Sequence, residues 1–219
     1  MGLSYDGPAP AGEAAARAAG GDTMVVLFGD SRAADWPAPD LEGFRFVNRG
    51  IPGESSAQAR GRFEAHVAPL RPDVVVVQVG VNDLMALGLL AGQRQSQVAT
   101  VVANVRHIVE RATALGARVV VTTVFPVSRV PLAQWPFWSG EVPAAIEEVN
   151  AALRAMAGHG PAGNGPAGGA VSVLDAYGVL ADEGGRTRPE YSADVLHLAR
   201  AGYARLNEAL AAHLAALGE

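Results

Sequence analysis

Five short apolar runs, rich in β-branched residues, constrain the fold of this chain more than any other feature. They lie at residues 24–28, 44–48, 74–79, 118–125 and 171–175. Three of them are almost continuously hydrophobic, as in strands that are buried on both faces of a parallel sheet. Helical patterns lie between and after them, at residues 55–68, 94–115, 141–157 and 199–217. The alternation predicts a doubly wound α/β fold with helices on both faces of the sheet.

Length and charge indicate one acidic globular domain. The 219 residues are 49% hydrophobic with a net charge of −5, which suits a single-core protein and gives no reason to expect a nucleic-acid surface. No apolar run approaches the roughly 20 residues of a membrane span. Residues 1–22 lack the basic start and apolar stretch of a secretory signal. We therefore expect a flexible N-terminal segment at 1–22, a single domain at 23–219 and a cytoplasmic location.

Two missing residue types exclude several chemistries. The chain has no cysteine, which excludes thiol catalysis, thiolate metal sites and disulfides. All 17 basic residues are arginine, so a P-loop lysine, a Schiff base and a Ser–Lys dyad are also excluded. A formal G-x-G-x-x-G match lies within the Gly/Pro-rich stretch 158–169, but it follows a helical pattern rather than a strand. We interpret that stretch as a flexible connection rather than a dinucleotide site.

Three chemically useful residues directly follow predicted strands. Ser31, Gly53 and Asn82 would meet at one edge of the sheet, because ligands of such sheets bind beyond the carboxyl ends of the strands. A serine hydroxyl can act as a nucleophile, a glycine lets a backbone N–H approach a substrate, and an amide side chain can donate to an oxyanion. Each also has a simpler interpretation as part of a turn. We expect Asp30 to organise the turn before Ser31.

A serine nucleophile needs a general base, and His197 is the strongest candidate. Three of the five histidines lie within helical patterns and a fourth lies in the Gly-rich stretch. His197 differs because Asp194 precedes it by three residues, about one helical turn, at the start of the last predicted helix. A carboxylate there could hold one imidazole nitrogen and leave the other free as a base. The alternative is that Asp194 caps the last helix and His197 packs in its first turn.

Four short blocks together resemble the SGNH hydrolase (GDSL-type esterase/lipase) superfamily. In chain order they are "GDS" at 29–31, "NRGIPGE" at 48–54, "GVND" at 80–83 and "DVLH" at 194–197. Their order and approximate spacing match the four blocks of that superfamily and span nearly the whole chain. The resemblance implies a flavodoxin-like three-layer α/β/α sandwich with a five-stranded parallel sheet.

The resemblance also implies a role for each residue that matches the blocks. Ser31 would be the nucleophile, with His197 and Asp194 as the other members of a catalytic triad. The oxyanion hole would comprise the backbone N–H groups of Ser31 and Gly53 and the side chain of Asn82. Such a triad needs no metal and no cofactor.

The chain departs from the superfamily after the serine, where a threonine and a glycine are common. Arg32 and Trp36 stand nearby instead, and we expect both at the rim of the substrate pocket. Segment 125–143 concentrates three further aromatic candidates, Trp135, Phe137 and Trp138. They either form a wall or lid of the pocket or cover the core or a dimer contact.

The sequence therefore predicts a serine hydrolase that cleaves small carboxylic esters through an acyl-enzyme. Short acyl or acetyl esters are favoured because no long apolar tunnel is evident. A carbohydrate O-deacetylase, a thioesterase or an acyltransferase could use the same triad. From other classes, a non-catalytic binding protein with this fold, or a metal-dependent phosphoesterase using Asp30, Asp83 and Asp194, stays open. So does the formation of a homo-oligomer.

Overall fold

A computed structural model describes residues 21–89, 92–132, 138–158 and 171–217. Most of the predicted flexible segment 1–22 lies outside the described residues, as does nearly all of the Gly/Pro-rich stretch. Within the described ranges, no helix has both the length and the apolar character that crossing a membrane would require.

The centre of the fold is a sheet of five parallel strands in the order β2-β1-β3-β4-β5. The strands are β1 (Thr23–Gly29), β2 (Phe44–Gly50), β3 (Val74–Gln78), β4 (Arg118–Thr122) and β5 (Val171–Leu174). This is the flavodoxin-like strand order, and it confirms the predicted fold class. All five predicted strands are present, and they differ from the prediction only at their ends.

Helices cover both faces of the sheet. They are α1 (Ser31–Ala34), α2 (Ser56–His66), α3 (Val81–Met85), α4 (Arg94–Ala114), α5 (Val142–Arg154), α6 (Ala176–Leu180) and α7 (Arg200–Leu217). Short 3₁₀ turns lie at Ala68–Leu70, Ala86–Gly88 and Pro189–Tyr191. Ser55 caps the start of α2, where it forms a capping box with Gln58.

The strands separate two apolar cores, because successive side chains point to opposite faces. On β1, Val26 and Phe28 join the core under α2, α4 and α5. Val25 and Leu27 join the core under α7, together with Trp36 and Phe125. The four β1 side chains are at most 1% exposed, which explains the almost unbroken hydrophobic run in the sequence.

Two glycines allow α1 to pack closely against the ends of the first two strands. Gly29 pairs with Gly50 and with Gln78 in neighbouring strands. A Cβ atom at Gly29 would lie 1.6 Å from the carbonyl oxygen of Gln78, and one at Gly50 would lie 2.1 Å from the backbone nitrogen of Ala34. No side chain fits at either position. The glycines therefore fix where α1, and Ser31 at its start, sit against the sheet edge.

The fourth strand ends earlier than its apolar run predicts. The sequence pattern continues to residue 125, but β4 ends at Thr122. Beyond it, the backbone N–H of Val124 donates to the Asn150 side chain at 2.6 Å, and the Asn150 amide donates back to the carbonyl of Val124 at 2.9 Å. A buried asparagine on α5 thus replaces a neighbouring strand and turns the chain out of the sheet.

Candidate active site

Ser31 begins α1 at the carboxyl end of β1, which lies between β2 and β3 in the sheet. Asp30 caps this short helix, and its carboxylate accepts a hydrogen bond from the backbone N–H of Arg32 at 2.9 Å. The cap confirms the expected organising role of Asp30. Burial raises the pKa of Asp30 to about 6, against the opposing effect of the Arg32 charge. Ser31 itself is partly exposed, so its hydroxyl can reach a substrate.

Ser31, His197 and Asp194 form a continuous line of hydrogen-bonding contacts. His197 Nε2 lies 3.1 Å from Ser31 Oγ. On the other side of the ring, His197 Nδ1 lies 2.8 Å from Asp194 Oδ2 and 3.1 Å from Oδ1. A base hydrogen-bonded to a hydroxyl and oriented by a carboxylate is the arrangement that activates a serine nucleophile.

Residues 194–197 are not helical, so the interpretation of their spacing as one helical turn is wrong. The last helix, α7, begins at Arg200. Asp194 Oδ1 instead accepts hydrogen bonds from the backbone N–H groups of Leu196 and His197, both at 2.8 Å. The alternative in which Asp194 caps the last helix is also wrong. The carboxylate folds its own loop and places the histidine beside itself.

The surroundings of Asp194 favour its ionised form. Partial burial tends to raise the pKa of this carboxyl, but the backbone N–H groups of His197 and Leu196 and the imidazole outweigh it, and the pKa is lowered. An ionised carboxylate beside Nδ1 directs a proton to that nitrogen. Nε2, which faces Ser31, is then free to accept a proton.

Gly53, in the loop after β2, and Asn82, in the first turn of α3, lie close together at the same sheet edge. Gly53 occupies the third position of a turn from Ile51 to Glu54, with φ = +79°, a conformation that favours glycine. The Asn82 side chain, at the start of α3, donates a hydrogen bond to the carbonyl of Glu54 at 2.8 Å. Among the described residues, no acceptor engages the backbone N–H groups of Ser31 and Gly53.

A buried polar network holds α3, and with it Asn82, in place. Asp83 accepts hydrogen bonds from the backbone N–H and the hydroxyl of Ser56, at 2.8 and 2.7 Å. Asn104 donates to the same hydroxyl at 2.9 Å. Burial raises the pKa of Asp83, although the Ser56 hydrogen bonds oppose it. Sequence reasoning did not find Asn104, whose signal is a polar residue on the apolar face of a long helix.

Arg62 links the glycine loop to the end of β1. Its Nε lies 2.6 Å from Glu54 Oε2, and Nη2 donates to the carbonyl of Gly29 at 3.0 Å. The guanidinium also stacks 4.4 Å from the centre of the Phe28 ring. No local sequence pattern pairs residues 54 and 62, and this contact was not predicted.

Arg32 and Trp36 were expected at the pocket rim, and that expectation is wrong. Arg32 is 0% exposed and Trp36 is 1% exposed. The guanidinium of Arg32 points inward to backbone carbonyls, and the Trp36 indole donates to Asn207 Oδ1 at 2.7 Å. Polar partners that lie far away in the sequence satisfy both groups, which is why neither stays at the surface.

A cavity of about 840 Å³ lies beside the His197 loop. Residues 127–132 form one wall, and Trp138, Ile146 and Tyr177 contribute apolar surface. None of the three residues in the Ser31–His197–Asp194 line borders it. The cavity wall contacts the loop that carries Asp194 and His197, because the backbone N–H of Ser128 donates to the carbonyl of Val195 at 2.9 Å.

The aromatic segment is only partly accounted for. Trp138, one of its three predicted pocket residues, is half-buried and lines the cavity. Trp135 and Phe137, the other two, lie outside the described residues. Their expected contribution to the pocket stays a prediction.

The acidic residues do not form a metal site in the part of the chain that the structure describes. No group of three histidine, aspartate or glutamate side chains is close enough to hold an ion there. Asp30 and Asp83 are buried within separate hydrogen-bond networks, whereas Asp194 is engaged by its own loop. The metal-dependent phosphoesterase alternative therefore has no support from the positions of its three carboxylates.

Comparison with known proteins identifies the class to which this fold and site belong. A model of the GDSL-like Lipase/Acylhydrolase family matches residues 18–205, most of the chain. The protein belongs to this family, as the four sequence blocks indicate, and is an ester-hydrolysing enzyme. No curated protein matches the chain.

Solved structures show the same fold. A GDSL-like lipase from Bacteroides thetaiotaomicron is 24% identical with a TM-score of 0.71, and the match covers 94% of this chain and 95% of that one. A lipase/acylhydrolase from Enterococcus faecalis is 21% identical with a TM-score of 0.62, covering 88% and 95%. An acetylxylan esterase from Geobacillus stearothermophilus is 18% identical with a TM-score of 0.61, covering 87% and 93%. At these identities the likeness concerns the fold.

Proposed function

We propose that this enzyme hydrolyses small carboxylic esters through an acyl-enzyme formed on Ser31. The observation that carries the proposal is the unbroken line from Ser31 Oγ through His197 to Asp194, with contacts of 3.1 and 2.8 Å. His197 Nε2 takes the hydroxyl proton as Ser31 Oγ attacks the ester carbonyl. Asp194 keeps the imidazole in the required tautomer and stabilises the imidazolium that forms.

Three donors stabilise the tetrahedral oxyanion. They are the backbone N–H groups of Ser31 and Gly53 and the side-chain amide of Asn82. The proposal is supported by the two backbone N–H groups, for which the described part of the chain offers no acceptor, and by the Asn82 amide, which uses one of its two N–H bonds on Glu54. Donors fixed in advance stabilise charge as it develops without reorganising during the reaction.

Collapse of the intermediate breaks the bond between the carbonyl carbon and the alcohol oxygen. His197 gives its proton to that oxygen, and the alcohol leaves. Water then attacks the acyl-enzyme, with His197 as its base, and a second collapse releases the acid and restores the Ser31 hydroxyl. Every proton removed is returned, so one ester and one water give one alcohol and one acid.

The alcohol part of the ester is proposed to lie toward the cavity beside the catalytic loop. Among the proposed oxyanion donors, Gly53 follows β2, which lies on one side of β1 and Ser31 in the sheet. The cavity follows β4 and β5, on the side of the His197 loop. Since His197 protonates the leaving alcohol, that group lies on the histidine side. Acetyl and other short acyl groups stay the favoured acyl part.

The test of this function is hydrolysis of p-nitrophenyl esters of increasing acyl length by wild type and Ser31→Ala, with EDTA present. Ser96→Ala, an exposed serine on α4, is the matched control. We expect Ser31→Ala to lose on the order of 10³-fold or more in kcat, while Ser96→Ala keeps wild-type turnover. Equal turnover in Ser31→Ala and wild type would contradict the mechanism. Wild-type activity that survives EDTA would remove the metal-dependent phosphoesterase alternative.

The cavity assignment has its own test, in which the acyl group is constant and the alcohol varies. Wild type and Trp138→Ala are compared on p-nitrophenyl acetate and 1-naphthyl acetate, with the exposed Leu115→Ala as control. Removal of the indole should change the ratio of kcat/KM between the two acetates, whereas the control leaves it unchanged. An unchanged ratio in Trp138→Ala would remove the cavity from the substrate site.

An acyltransferase, a carbohydrate O-deacetylase and a thioesterase are the alternatives that use the same triad. Transfer to an added alcohol instead of water would identify an acyltransferase, and preference for acetylated sugars or thioesters would identify the related hydrolases. Cytoplasmic location and a homo-oligomeric state stay predictions.

A further inference from the structure

A fully buried arginine directly follows the proposed nucleophile. Arg32 is 0% exposed, and its three guanidinium nitrogens donate to three different backbone carbonyls. Nε donates to Leu196 at 2.8 Å, Nη1 to Phe125 at 2.9 Å and Nη2 to Pro126 at 3.1 Å. The planar fork of an arginine suits several fixed acceptors at once.

Packing does not explain a charge at this position. Removing a guanidinium from water is costly, and an apolar side chain of similar volume would avoid the cost. Burial lowers the pKa of Arg32 to about 10, with the neighbouring Asp30 opposing it, so the group is charged at neutral pH. The Phe125 ring lies 5.4 Å from the guanidinium carbon. The three hydrogen bonds of its guanidinium, rather than its volume, are what an apolar side chain could not replace at this position.

The acceptor at Leu196 belongs to the peptide bond that leads into His197. Arg32 holds the carbonyl oxygen of this peptide, and Asp194 holds its N–H, which belongs to His197. Both polar atoms of one peptide plane are therefore fixed. The backbone of the proposed general base cannot shift without breaking one of these hydrogen bonds.

The other end of Arg32 is fixed as firmly. Its backbone N–H donates to Asp30, and its carbonyl accepts a hydrogen bond from the Tyr203 hydroxyl at 3.0 Å. Arg32 is covalently joined to Ser31. A single side chain therefore spans the turn that presents the nucleophile and the loop that presents the base, 164 residues apart in sequence.

We infer that Arg32 is a positioning residue that sets the distance between Ser31 Oγ and His197 Nε2. The inference rests on the proposed function. Arg32 is buried and does not face the substrate, so its loss should reduce turnover rather than substrate binding. A misplacement of about 1 Å between reacting groups costs on the order of 100-fold in rate.

The test compares wild type with Arg32→Met and Arg32→Lys. The number of active sites is counted by labelling with a fluorophosphonate, and kcat is expressed per labelled site, which removes the effect of unfolded protein. We expect Arg32→Met to lose about 100-fold in kcat, with KM within about twofold of wild type. The kcat of Arg32→Lys should lie between those of wild type and Arg32→Met, because one ammonium nitrogen cannot reach all three carbonyls.

Arg111→Met and Arg111→Lys are the matched controls. Arg111 lies on α4, is 45% exposed and pairs with Glu64 on the surface. Both variants should keep the wild-type kcat per labelled site. They show that exchanging an arginine does not by itself lower turnover.

Wild-type kcat per labelled site in either Arg32 variant would overturn the inference. If Arg32→Met does not fold, Arg32→Lys decides, and failure of both to fold would assign Arg32 to stability and also overturn it. A different result is expected if the proposed function is wrong and Ser31 is not the nucleophile. In that case wild type is not labelled at Ser31, or Ser31→Ala retains turnover, whatever the Arg32 variants do.

Discussion

Asp194 and His197 are joined through both backbone and side chain. One carboxylate oxygen of Asp194 accepts the backbone N–H of His197 at 2.8 Å, while the other lies 2.8 Å from Nδ1 of the same residue. The carboxylate therefore shapes the loop and orients the imidazole. These two tasks can be separated by mutation.

Asp194→Asn should no longer orient the His197 imidazole but should still stabilise the loop from residue 194 to 197. The asparagine oxygen can still accept the two backbone N–H bonds, but its amide would face Nδ1 and favour the wrong imidazole tautomer. We expect kcat to fall on the order of 10²–10⁴-fold with little change in KM. Steady-state kinetics and thermal melting measure the two effects.

Asp194→Ala is the matched comparison, since it loses both tasks. It should match Asp194→Asn in kcat and be less stable by up to about 1 kcal/mol, through the lost backbone hydrogen bonds. Turnover of Asp194→Asn close to wild type would show that the carboxylate does not orient the base.

Asn82→Ala should reduce stabilisation of the oxyanion. Loss of one such donor typically costs about 10²–10³-fold in kcat. Asn82→Asp should be impaired as well, because a carboxylate cannot donate and would repel the developing charge. Activity of Asn82→Asp near wild type in the ester assay would exclude the amide from the oxyanion hole.

The two glycines of the second sequence block should respond differently to substitution by alanine. At Gly50 a new Cβ would lie 2.1 Å from a backbone nitrogen of α1, so Gly50→Ala should displace α1 and destabilise the fold severely. At Gly53 no atom of the described residues lies within 4 Å of the added atom. Gly53→Ala therefore meets only the strain of a positive φ, about 1–2 kcal/mol.

Chemical denaturation of the two glycine variants measures this difference. Comparable stability in Gly50→Ala and wild type would contradict the close packing of α1 against β2. The comparison also separates the glycine that packs from the one proposed to donate its N–H.

Stability should respond to the protonation of Asp30. Burial raises its folded-state pKa to about 6 from an ordinary value of 3.8. The ionised form therefore costs stability above pH 6, and that cost disappears as the pH falls toward 4. Relative to Asp30→Asn, wild type should gain about 1 kcal/mol between pH 7 and pH 5.

Urea denaturation of wild type, Asp30→Asn and the exposed Asp40→Asn at the two pH values tests this. Asp40→Asn should follow wild type in its pH dependence. If Asp30→Asn does so too, Asp30 titrates in the folded protein as it does in the unfolded chain.

The strands and the four blocks could be predicted because their signals are local. The run at residues 74–77 is valine at every position because both faces of β3 are buried, and that pattern is readable without a structure. Ser31, Gly53 and Asn82 follow strand ends, and parallel strands bring their carboxyl ends to one edge. Asp194 and His197 were found by proximity in the chain, although their geometry was predicted as helical and is a loop.

What could not be predicted depends on partners distant in sequence. Its position after Ser31 predicts that Arg32 lies at the pocket rim, whereas carbonyls of residues 125, 126 and 196 accept its hydrogen bonds in the interior. Arg62 and Glu54 meet only because α2 packs beside the glycine loop. The end of β4 is set by Asn150, on a helix that follows 20 residues later. Each of these contacts forms between elements and leaves no periodic trace in the sequence.

Covalent labelling with a fluorophosphonate, followed by peptide mapping, tests directly whether Ser31 is the nucleophile. We expect one adduct per chain, located on Ser31, with loss of esterase activity in proportion to labelling. Ser31→Ala should stay unlabelled, and His197→Ala should label far more slowly. A wild-type adduct on another residue, or full activity after Ser31 is modified, would contradict the assignment of Ser31 as the nucleophile.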